Sequence, residues 1–357
     1  MPNGGLPVSA GCGDSRSPRA RRLVGDPVDV VTGASVDART EFRLAGPLPF
    51  VWRRHSDSAR AGRAFALGWG HAHGYERALR FDLDGLRYVG PLGATVTFAA
   101  PRADGDRVAS GARALCRVDA RRYLLQTVGE PDMEFLLPPG GDVAPLAAVA
   151  QGGARVEFAY DARGRLAGVL DSARRHIAVG CDEAGRVTHL TLEGGRTSPW
   201  RLVAYTYDAA GNLARGVDAY GQEFTFGHDD AHRIVRRTDC RGYAFLFAYD
   251  EQGRCVHSRG EDGLHEVWIR YAPEERTTTV VRADGGRWVY RYDEQGTVRS
   301  ITGPDGGERR FEVDADGAPV AERGPGGTET RLLFDRLPGY RIKEDICLER
   351  EGLVGKI

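Results

Sequence analysis

His71 and His73 are the residues whose type and spacing come closest to a metal site. They flank Ala72, so a β-strand would present both imidazoles on one face. Glu76 or His55 could supply a third ligand from nearby in the sequence. A metal site also needs hydrogen-bonding partners that orient its ligands, and this spacing does not specify them. We therefore predict a structural role for these residues, with no bound metal and no cofactor.

Three further segments contain residue types that are used in catalysis. Residues 55–58 read His-Ser-Asp-Ser, but adjacency does not build a catalytic triad, and no G-x-S-x-G elbow is present. We interpret them as a polar loop. Residues 182–183 and 261–262 are carboxylate pairs of the kind used in glycoside hydrolysis, yet both fall in predicted turns, where solvated carboxylates are common. We predict no catalytic residue, and the chain is expected not to be an enzyme.

A repeat positions one acidic residue, an Asp, at the same place in most of its copies. An aromatic-Asp-x-x-Gly-x-aliphatic signature returns about every 21 residues, and such a fixed period is strong evidence of a repeat architecture. Its first positions, the anchors, are Tyr160, Cys181, Tyr207, His228, Tyr249, Tyr271, Tyr292, Val313 and Phe334. Catalysis needs one constellation of residues rather than many copies, so we predict that the repeated Asp is a turn residue.

Each repeat predicts two strands and two turns. The signature Asp can accept hydrogen bonds from backbone amides, and Gly three residues later tolerates a positive φ. The clearest copies are Tyr160, Asp161 and Gly164; Tyr207, Asp208 and Gly211; Tyr249, Asp250 and Gly253; and Tyr292, Asp293 and Gly296. A second turn follows about ten residues later, and a large apolar residue usually lies two positions before the anchor. The pattern predicts an all-β chain with a long antiparallel meander, in which these side chains form ladders on one face.

Composition excludes several classes of partner. The 357 residues carry a formal net charge of -1, which gives no electrostatic reason to expect nucleic acid. The 48 glycines favour a turn-rich β protein, and the six cysteines lack the spacing of a zinc or disulfide framework. No apolar run is long enough to predict a membrane span or a Sec signal peptide. We expect a cytoplasmic protein that is exported, if at all, by a route without such a signal.

The repeats resemble the YD repeats of the Rhs family, which includes bacterial Rhs proteins, components of insecticidal toxin complexes and animal teneurins. The resemblance covers roughly residues 156–341. Two earlier segments are similar to stretches of bacterial Rhs proteins. The residues that match are Pro27, Val28, Asp29, Thr32 and Gly33 in the first segment, and Trp69, His71, Tyr75 and Glu76 in the second.

The resemblance implies a fold and a function. In such relatives the repeat sheet curls into a hollow shell that encloses a toxic polypeptide until delivery. It implies four regions here: a disordered segment (1–22), an N-terminal Rhs-type β domain (23–139), the YD repeats (140–341) and a short non-repeat tail (342–357). The implied function is that of a non-enzymatic Rhs core fragment. Its expected partners are a toxin or the remaining Rhs core segment, a secretion-system spike component and carbohydrate.

Some repeats depart from the signature. His232 replaces the signature Gly, the unit at Tyr271 lacks both Asp and Gly, and the last unit, at Phe334, also departs. We interpret these copies as degenerate. Nine anchors are fewer than closed shells of the family use, so we expect the front portion of a shell. Two alternatives stay open: a surface module that binds glycans or a partner, and a truncated remnant without independent function.

Overall fold

The fold is built almost entirely from antiparallel β-strands, as the repeat pattern predicts. The computed structural model describes residues 21–83, 85–194, 198–314, 319–334 and 343–348. Helix within these ranges is limited to three short 3₁₀ turns, at Ser58–Arg60, Pro91–Gly93 and Pro273–Glu275. None of the described helices has the length and apolar character needed to cross a membrane. The prediction of an all-β chain is confirmed.

The first part of the chain forms short strands and small sheets. The strands are β1 (Leu23–Val24), β2 (Val28–Asp29), β3 (Val36–Leu44), β4 (Phe50–Asp57), β5 (Ala64–Phe65), β6 (Gly68–Trp69), β7 (His71–His73), β8 (Ala78–Asp82), β9 (Gly85–Val89) and β10 (Thr95–Phe98). β1 pairs with β2, β5 pairs with β6, and β4 lies between β3 and β7. We refer to residues 21–76, which contain β1 to β7, as the N-terminal segment.

The remaining strands form one long sheet. They are β11 (Arg107–Ser110), β12 (Arg113–Arg117), β13 (Arg122–Thr127), β14 (Asp132–Leu136), β15 (Val143–Gln151), β16 (Ala154–Tyr160), β17 (Leu166–Leu170), β18 (His176–Cys181), β19 (Val187–Leu192), β20 (Trp200–Tyr207), β21 (Leu213–Asp218), β22 (Glu223–His228), β23 (Ile234–Thr238), β24 (Ala244–Tyr249), β25 (Cys255–Gly260), β26 (Val267–Ala272), β27 (Thr277–Arg282), β28 (Arg287–Tyr292), β29 (Val298–Thr302), β30 (Glu308–Val313), β31 (Pro319–Arg323), β32 (Glu329–Phe334) and β33 (Lys343–Leu348).

From β11 to β33 every strand pairs with the next one along the chain. β8 joins this sheet beside the first residues of β15, and β9 and β10 extend that side branch. Among the described residues no pairing links β10 to β11 or returns β33 to an earlier strand, so the sheet is an open strip. The predicted meander is therefore confirmed.

The predicted domain boundaries fall within this arrangement. The boundary between residues 139 and 140 lies just before β15, and strands on both sides of it belong to the same sheet. The predicted tail, residues 342–357, contains β33, which pairs with β32; its other residues lie outside the described part of the chain. Residues 1–20 of the predicted disordered segment also lie outside it.

The core of the repeat sheet lies on one face. The apolar residues two positions before the anchors are buried: Phe158, Tyr205, Phe226, Phe247, Ile269, Tyr290 and Phe311. Leu332, the last residue of this series, is outside the residues whose side chains are described. Side chains at i and i+2 of a strand share a face, so the anchor tyrosines lie on this buried face too. The N-terminal segment packs against the same face.

Candidate docking interface

The signature Asp organises each hairpin through local hydrogen bonds. Asp250 Oδ1 accepts from the backbone N–H groups of Gln252 and Arg254, at 3.1 and 2.8 Å. The N–H of Gly253 donates to the Asp250 carbonyl at 2.9 Å, and Gly253 has a φ of +81°. Asp161, Asp208 and Asp293 form equivalent turns with Gly164, Gly211 and Gly296. A register shift, a β-bulge, lies at the anchor in these hairpins.

An arginine four residues after the signature Asp links one repeat to the next. Arg254 donates from Nε to Asp250 Oδ2 at 2.8 Å, and its guanidinium lies 4.9 Å from the centre of the Tyr271 ring. Two further sets have the same arrangement: Asp182, Arg186 and Tyr207; and Asp229, Arg233 and Tyr249. We call each set an Asp–Arg–Tyr clasp. A cation over an aromatic face is attractive, so the clasp joins neighbouring hairpins.

The anchor tyrosines also reach backward along the sheet. The hydroxyls of Tyr160, Tyr249 and Tyr271 donate to backbone carbonyls of an earlier strand at 2.6–2.8 Å. Burial raises the pKa of these phenols, so they stay protonated and act as donors. This hydrogen bond gives a physical reason for tyrosine, rather than phenylalanine, at the anchor.

The first family-like segment lies across the repeat sheet. Asp29 accepts from the Thr32 hydroxyl at 2.8 Å, which holds a tight loop that ends at Gly33. Gly33 has a φ of +72°, and a Cβ there would lie 2.4 Å from the Arg254 side chain. Only glycine fits, because the loop contacts a clasp arginine directly. The Gly33 carbonyl accepts from the N–H of Cys255 at 2.8 Å.

An aromatic cluster fixes the middle of the N-terminal segment. Trp52 is fully buried and donates from Nε1 to the Tyr205 hydroxyl of the repeat sheet at 2.9 Å. His73 stacks on Trp52 with ring centres 4.5 Å apart, and Tyr75 contacts Phe158 of the sheet at 4.7 Å. Buried aromatic pairs stabilise beyond the area they remove from water, so this cluster contributes strongly to docking.

A buried ion network lies beside the aromatic cluster. Arg54 is 1% exposed and pairs with Glu41 at 2.8 Å and with Asp37 at 3.5 Å. Arg237 of the repeat sheet also pairs with Asp37, at 3.4 Å, and with Asp26. Burial alone would raise the pKa of Asp37, but Arg54 and Arg237 together lower it. Removing one member of the network would leave a buried charge without its partner, which strongly lowers the stability of the folded chain.

Burial outweighs ion pairing at the second carboxylate of this network. The pKa of Glu41 is raised because burial has a larger effect than Arg54. The Arg54 guanidinium also lies 5.1 and 4.8 Å from the ring centres of Phe224 and Phe226. The arginine of the N-terminal segment therefore contacts both a charged network and the aromatic ladder of the sheet.

The repeat with Asp208 lacks the arginine of a clasp, and Trp69 of the N-terminal segment packs beside it. Asn212 stands where other repeats have arginine, and it bonds Asp208 at 2.9 Å. His232 stacks on Trp69 with ring centres 4.4 Å apart and bonds Asn212 at 2.8 Å. The Trp69 indole N–H donates to the Ala210 carbonyl at 2.9 Å. We call this place the notch.

The copy that contains His232 departs from the signature in sequence but keeps its turn. His232 adopts a φ of +63°, and its N–H donates to the Asp229 carbonyl at 3.0 Å, so the turn is intact without glycine. The unit at Tyr271 also keeps a turn, because Arg276 adopts a φ of +51° and bonds the Pro273 carbonyl at 2.9 Å. The last unit, residues 335–338, lies outside the described part of the chain.

Two family models match this chain, one in the region of the N-terminal segment and one in the repeat sheet. The model of a domain of unknown function, DUF6531, matches residues 25–98, which contain most of the N-terminal segment. The RHS Repeat model matches residues 182–223 and 228–265, which contain the Asp and Arg of all three clasps and the repeat-sheet residues of the notch. The chain is an Rhs-repeat protein.

A curated protein and several solved structures are similar to this Rhs-repeat protein. The double-stranded DNA deaminase toxin A of Burkholderia cenocepacia is 28% identical over 287 residues. The match covers 76% of this chain, and the chain spans only 20% of that relative's length. A crystal structure of TcdB2-TccC3-Cdc42 matches 88% of this chain and 24% of its own, with 11% identity and a TM-score of 0.36. The Photorhabdus luminescens Tc holotoxin pore matches 90% of this chain and 15% of its own, with 13% identity and a TM-score of 0.31.

Glu76, at the end of the second family-like segment, has a backbone-binding role in this Rhs-repeat protein. Its two carboxylate oxygens accept from the N–H of Ala66 at 3.1 and 3.2 Å, which fixes the β5–β6 hairpin. Burial raises the pKa of Glu76 to about 7. His71 and His73 lie nearby in the sequence, but no group of three or more potential metal ligands occurs among the described residues.

The segments considered for catalysis have other contacts. The prediction of a polar loop at residues 55–58 is wrong, because His55, Ser56 and Asp57 belong to β4. All three pair with β3, and His55 and Ser56 also pair with β7. Asp57 caps the following 3₁₀ turn by accepting from the Ala59 N–H at 2.9 Å, and it pairs with Arg21 at 3.0 Å. Residues 182–183 and 261–262 lie in turns, as predicted from the repeat.

Sequence reasoning missed the clasp arginines and the ion network. The arginine four residues after the signature Asp recurs in the printed sequence, so its period was a detectable signal. The network was not detectable, because its members lie at positions 26, 37, 41, 54 and 237 and share no spacing. Only the folded chain brings them together.

Proposed function

We propose that this Rhs-repeat protein is a non-enzymatic part of a β-shell that encloses a toxin polypeptide and helps to deliver it. The observation that carries the proposal is the docking interface. The N-terminal segment contacts the repeat sheet from Tyr75 against Phe158 to Arg22 over Phe311, and it does so with buried, specific bonds. A sheet strip braced across so many strands is suited to a rigid wall.

Three further considerations support a wall. Sheets twist, so a strip of this length is expected to curl rather than lie flat. Among the groups considered for catalysis, Asp57 caps a 3₁₀ turn and pairs with Arg21, and Asp182 binds the backbone N–H and the side chain of Arg186 in a repeat turn. The curated relative is named a toxin, and most of its length lies outside the match to this chain. We propose that the corresponding partners here are a toxin and the remaining core segment.

The test is protease protection of the toxin polypeptide encoded with this chain. The toxin and the remaining core segment are co-expressed with the wild-type chain, without it, with Trp69→Ala, or with Trp268→Ala. Trp69 lies in the notch, whereas Trp268 is 45% exposed and lies on the opposite face of the sheet from the buried Val267 and Ile269. We expect protection with the wild-type and Trp268→Ala chains and faster digestion in the other two samples.

Equal digestion of the toxin in all four samples would contradict enclosure. Purified complexes are first compared by gel filtration, so that loss of protection is separated from loss of assembly. If Trp69→Ala assembles but protects less, the docking interface contributes to the closed wall. If digestion is equal with and without the wild-type chain, the proposed function is wrong.

A glycan-binding surface is the second candidate function, and one observation favours it. Trp268 is exposed and stacks on His257 with ring centres 5.2 Å apart and an interplanar angle of 11°. An exposed flat aromatic surface of this kind can stack on a sugar ring. A glycan array tests it: binding by the wild-type chain that Trp268→Ala abolishes would support this function, and an array without signal would contradict it.

A further inference from the structure

Histidines are concentrated at the docking interface. The chain has nine histidines. Five of them lie where the N-terminal segment meets the repeat sheet, namely His55, His71, His73, His228 and His232. Among the described residues, the first four of these form no ion pair with a carboxylate. The fifth, His232, stacks on Trp69 in the notch.

His71 and His228 face each other across the interface. Their ring centres are 5.8 Å apart, and the His71 ring also contacts Phe226 at 5.3 Å. His71 is 1% exposed; its Nδ1 lies 2.9 Å from the Trp69 carbonyl, and its Nε2 has no hydrogen-bond partner among the described residues. Both ring nitrogens of His228 likewise lack a partner within the described ranges.

The charged groups around this pair come from several strands. Arg54 of β4 opposes protonation of His71, whereas Asp37 of β3 favours it. Around His228, the carboxylates of Asp208 and Asp229 favour protonation and His232 opposes it. Burial is the largest influence on both rings, and it lowers the pKa of His71 to about 3 and that of His228 to about 4.

His73 and His55 form the second half of the cluster. His73 is 3% exposed, stacks on Trp52, and has no hydrogen-bond partner at Nδ1 among the residues described. Burial lowers its pKa to about 3, and His55 and Arg77 add to the effect. Burial also lowers the pKa of His55 to about 4, with Arg53, Arg77 and Arg54 acting in the same direction and Asp37 opposing them.

We propose that this histidine cluster is an acid-sensitive latch, which holds the N-terminal segment on the repeat sheet at neutral pH and releases it in an acidic medium. The geometry that supports it is the edge-to-face contact of His71 and His228, two imidazoles that come from the two sides of one interface and have ring nitrogens without a hydrogen-bond partner among the described residues. Protonation would place cations beside Arg54 and beside each other without new partners. The proposal concerns docking alone and goes beyond enclosure of a toxin.

The direction of the pH effect follows from linkage. A histidine in the released, hydrated segment has an ordinary pKa near 6.5, so above that pH neither state takes up a proton. Below it the released state is protonated and the docked state is not. Each such histidine therefore weakens the docking equilibrium about tenfold per pH unit, until the pH reaches the lowered pKa of the docked ring.

Two carboxyl groups act in the opposite sense. The pKa values of Glu76 and Glu41 are raised in the docked state, so their protonation favours docking as the pH falls. The pKa of Asp37 is lowered, and its contribution is lost only below the ordinary range of a carboxylate. The four histidines outnumber the two carboxyl groups, so the docking equilibrium weakens as the pH falls below about 6.5.

Hydrogen–deuterium exchange of the full chain tests the latch. Exchange is measured at pH 7.5, 6.0 and 5.0, with labelling times scaled to the intrinsic exchange rate. We expect amides of β4 and β7 to lose protection at least tenfold between pH 7.5 and 5.0, while amides of β11 to β13 keep theirs. Loss of protection in both regions together would indicate global unfolding and would overturn the proposal, as would unchanged protection of β4 and β7.

A variant without two of the titrating rings sharpens the test. Phenylalanine can replace His73 on Trp52 and His228 beside Phe226, and neither ring makes a hydrogen bond that the structure records. We expect His73→Phe/His228→Phe to retain protection of β4 and β7 at pH 5.0. The control His176→Phe changes an exposed strand residue and should behave like the wild type. An equal acid response in all three proteins would overturn the latch, and if the double variant does not fold, the wild-type profile alone decides.

Discussion

The repeat sheet and the docking interface are stabilised in different ways. In the sheet, the main polar bonds are local: Asp250 bonds Arg254, only four residues away. In the interface, the Trp52 indole bonds Tyr205, and the Thr278 hydroxyl bonds the Val30 carbonyl at 2.6 Å, over separations of 153 and 248 residues. The sheet uses one motif many times, whereas each interface bond occurs once.

This difference determines what a single substitution can do. Turn residues of the sheet are partly solvated, so water can replace a lost partner, and neighbouring hairpins retain the same bonds. Interface residues such as Arg54 and Trp52 are buried, so a lost partner leaves a polar group that nothing else can satisfy. Stability should therefore be sensitive at the interface and tolerant in the turns.

The largest effect is expected for Arg54→Met. The substitution keeps an unbranched side chain against Phe224 and Phe226 but leaves Asp37 and Glu41 buried without their main cation. Breaking a buried ion pair from one side typically costs about 3–5 kcal/mol. We expect a loss of this size in the free energy of unfolding, measured by urea titration.

The matched control is the neighbouring residue. Arg53 is exposed, and its recorded side-chain hydrogen bond is a 3.4 Å contact with the Thr40 hydroxyl. We expect Arg53→Met to change the free energy of unfolding by less than about 0.5 kcal/mol. Similar losses for the two arginines would show that the ion network does not distinguish the interface from the surface.

A smaller loss is expected for Tyr205→Phe. Its hydroxyl is the acceptor for the buried Trp52 indole N–H, and leaving a buried donor unsatisfied costs about 1–3 kcal/mol. Tyr243→Phe is the control, because the Tyr243 hydroxyl is buried without a hydrogen-bond partner in the described part of the chain. Its removal should be neutral or slightly stabilising in the same urea titration. A larger loss for Tyr243→Phe would reverse the comparison.

The notch predicts opposite signs for two substitutions to glycine. His232 and Arg174 both adopt a left-handed backbone, with φ of +63° and +64°, at the same position of a turn. Arg174 is exposed, so Arg174→Gly should relieve backbone strain. We expect it to raise the free energy of unfolding by about 0.5 kcal/mol, and the melting temperature with it. His232→Gly loses the Trp69 stack and the Asn212 bond, and should cost about 1 kcal/mol. Stabilisation by both would show that the notch contributes nothing.

The sequence predicts the repeat sheet well because its chemistry is local. Asp161 and Gly164 specify a turn within four residues, and the 21-residue period places the next one. The aromatic ladder follows from alternation, which needs no knowledge of distant contacts. The sequence alone does not explain His232 at a glycine position, because non-glycine residues seldom adopt a left-handed backbone. The stacking on Trp69 offsets that strain.

The interface could not be predicted in this way. Residues 55–58 read as a polar loop because nothing in the sequence shows that β3 and β7 lie on either side of them. The partners of Arg54 and Trp52 come from distant strands without a common spacing. The resemblance of residues 27–33 and 69–76 to Rhs proteins marks the segments that dock, but the contacts become visible only in three dimensions.

The smallest effect is expected in the turns, for Asp250→Ala. The substitution removes the acceptor of two backbone N–H groups and of the Arg254 guanidinium. The carboxylate is about one-fifth exposed, so water replaces part of what is lost, and the net cost should be about 0.5–1 kcal/mol. Glu251→Ala, at an exposed neighbour of the same turn, should be neutral.

The comparison would fail if Asp250→Ala were as damaging as Arg54→Met. Hydrogen–deuterium exchange distinguishes a local effect from an effect on docking. Loss of a local turn should reduce amide protection in β24 and β25 only, whereas loss of an interface contact should also reduce protection in β4. Arg254 lies under Gly33, so part of any effect on β4 would pass through that contact. Gln252→Ala leaves the Asp250 carboxylate in place, so it is the control for an effect on β4 that passes through the Asp250–Arg254 bond. If β4 responds to Asp250→Ala and not to Gln252→Ala, the clasp is a direct part of the docking interface, and the repeat motif fixes the N-terminal segment as well as the sheet.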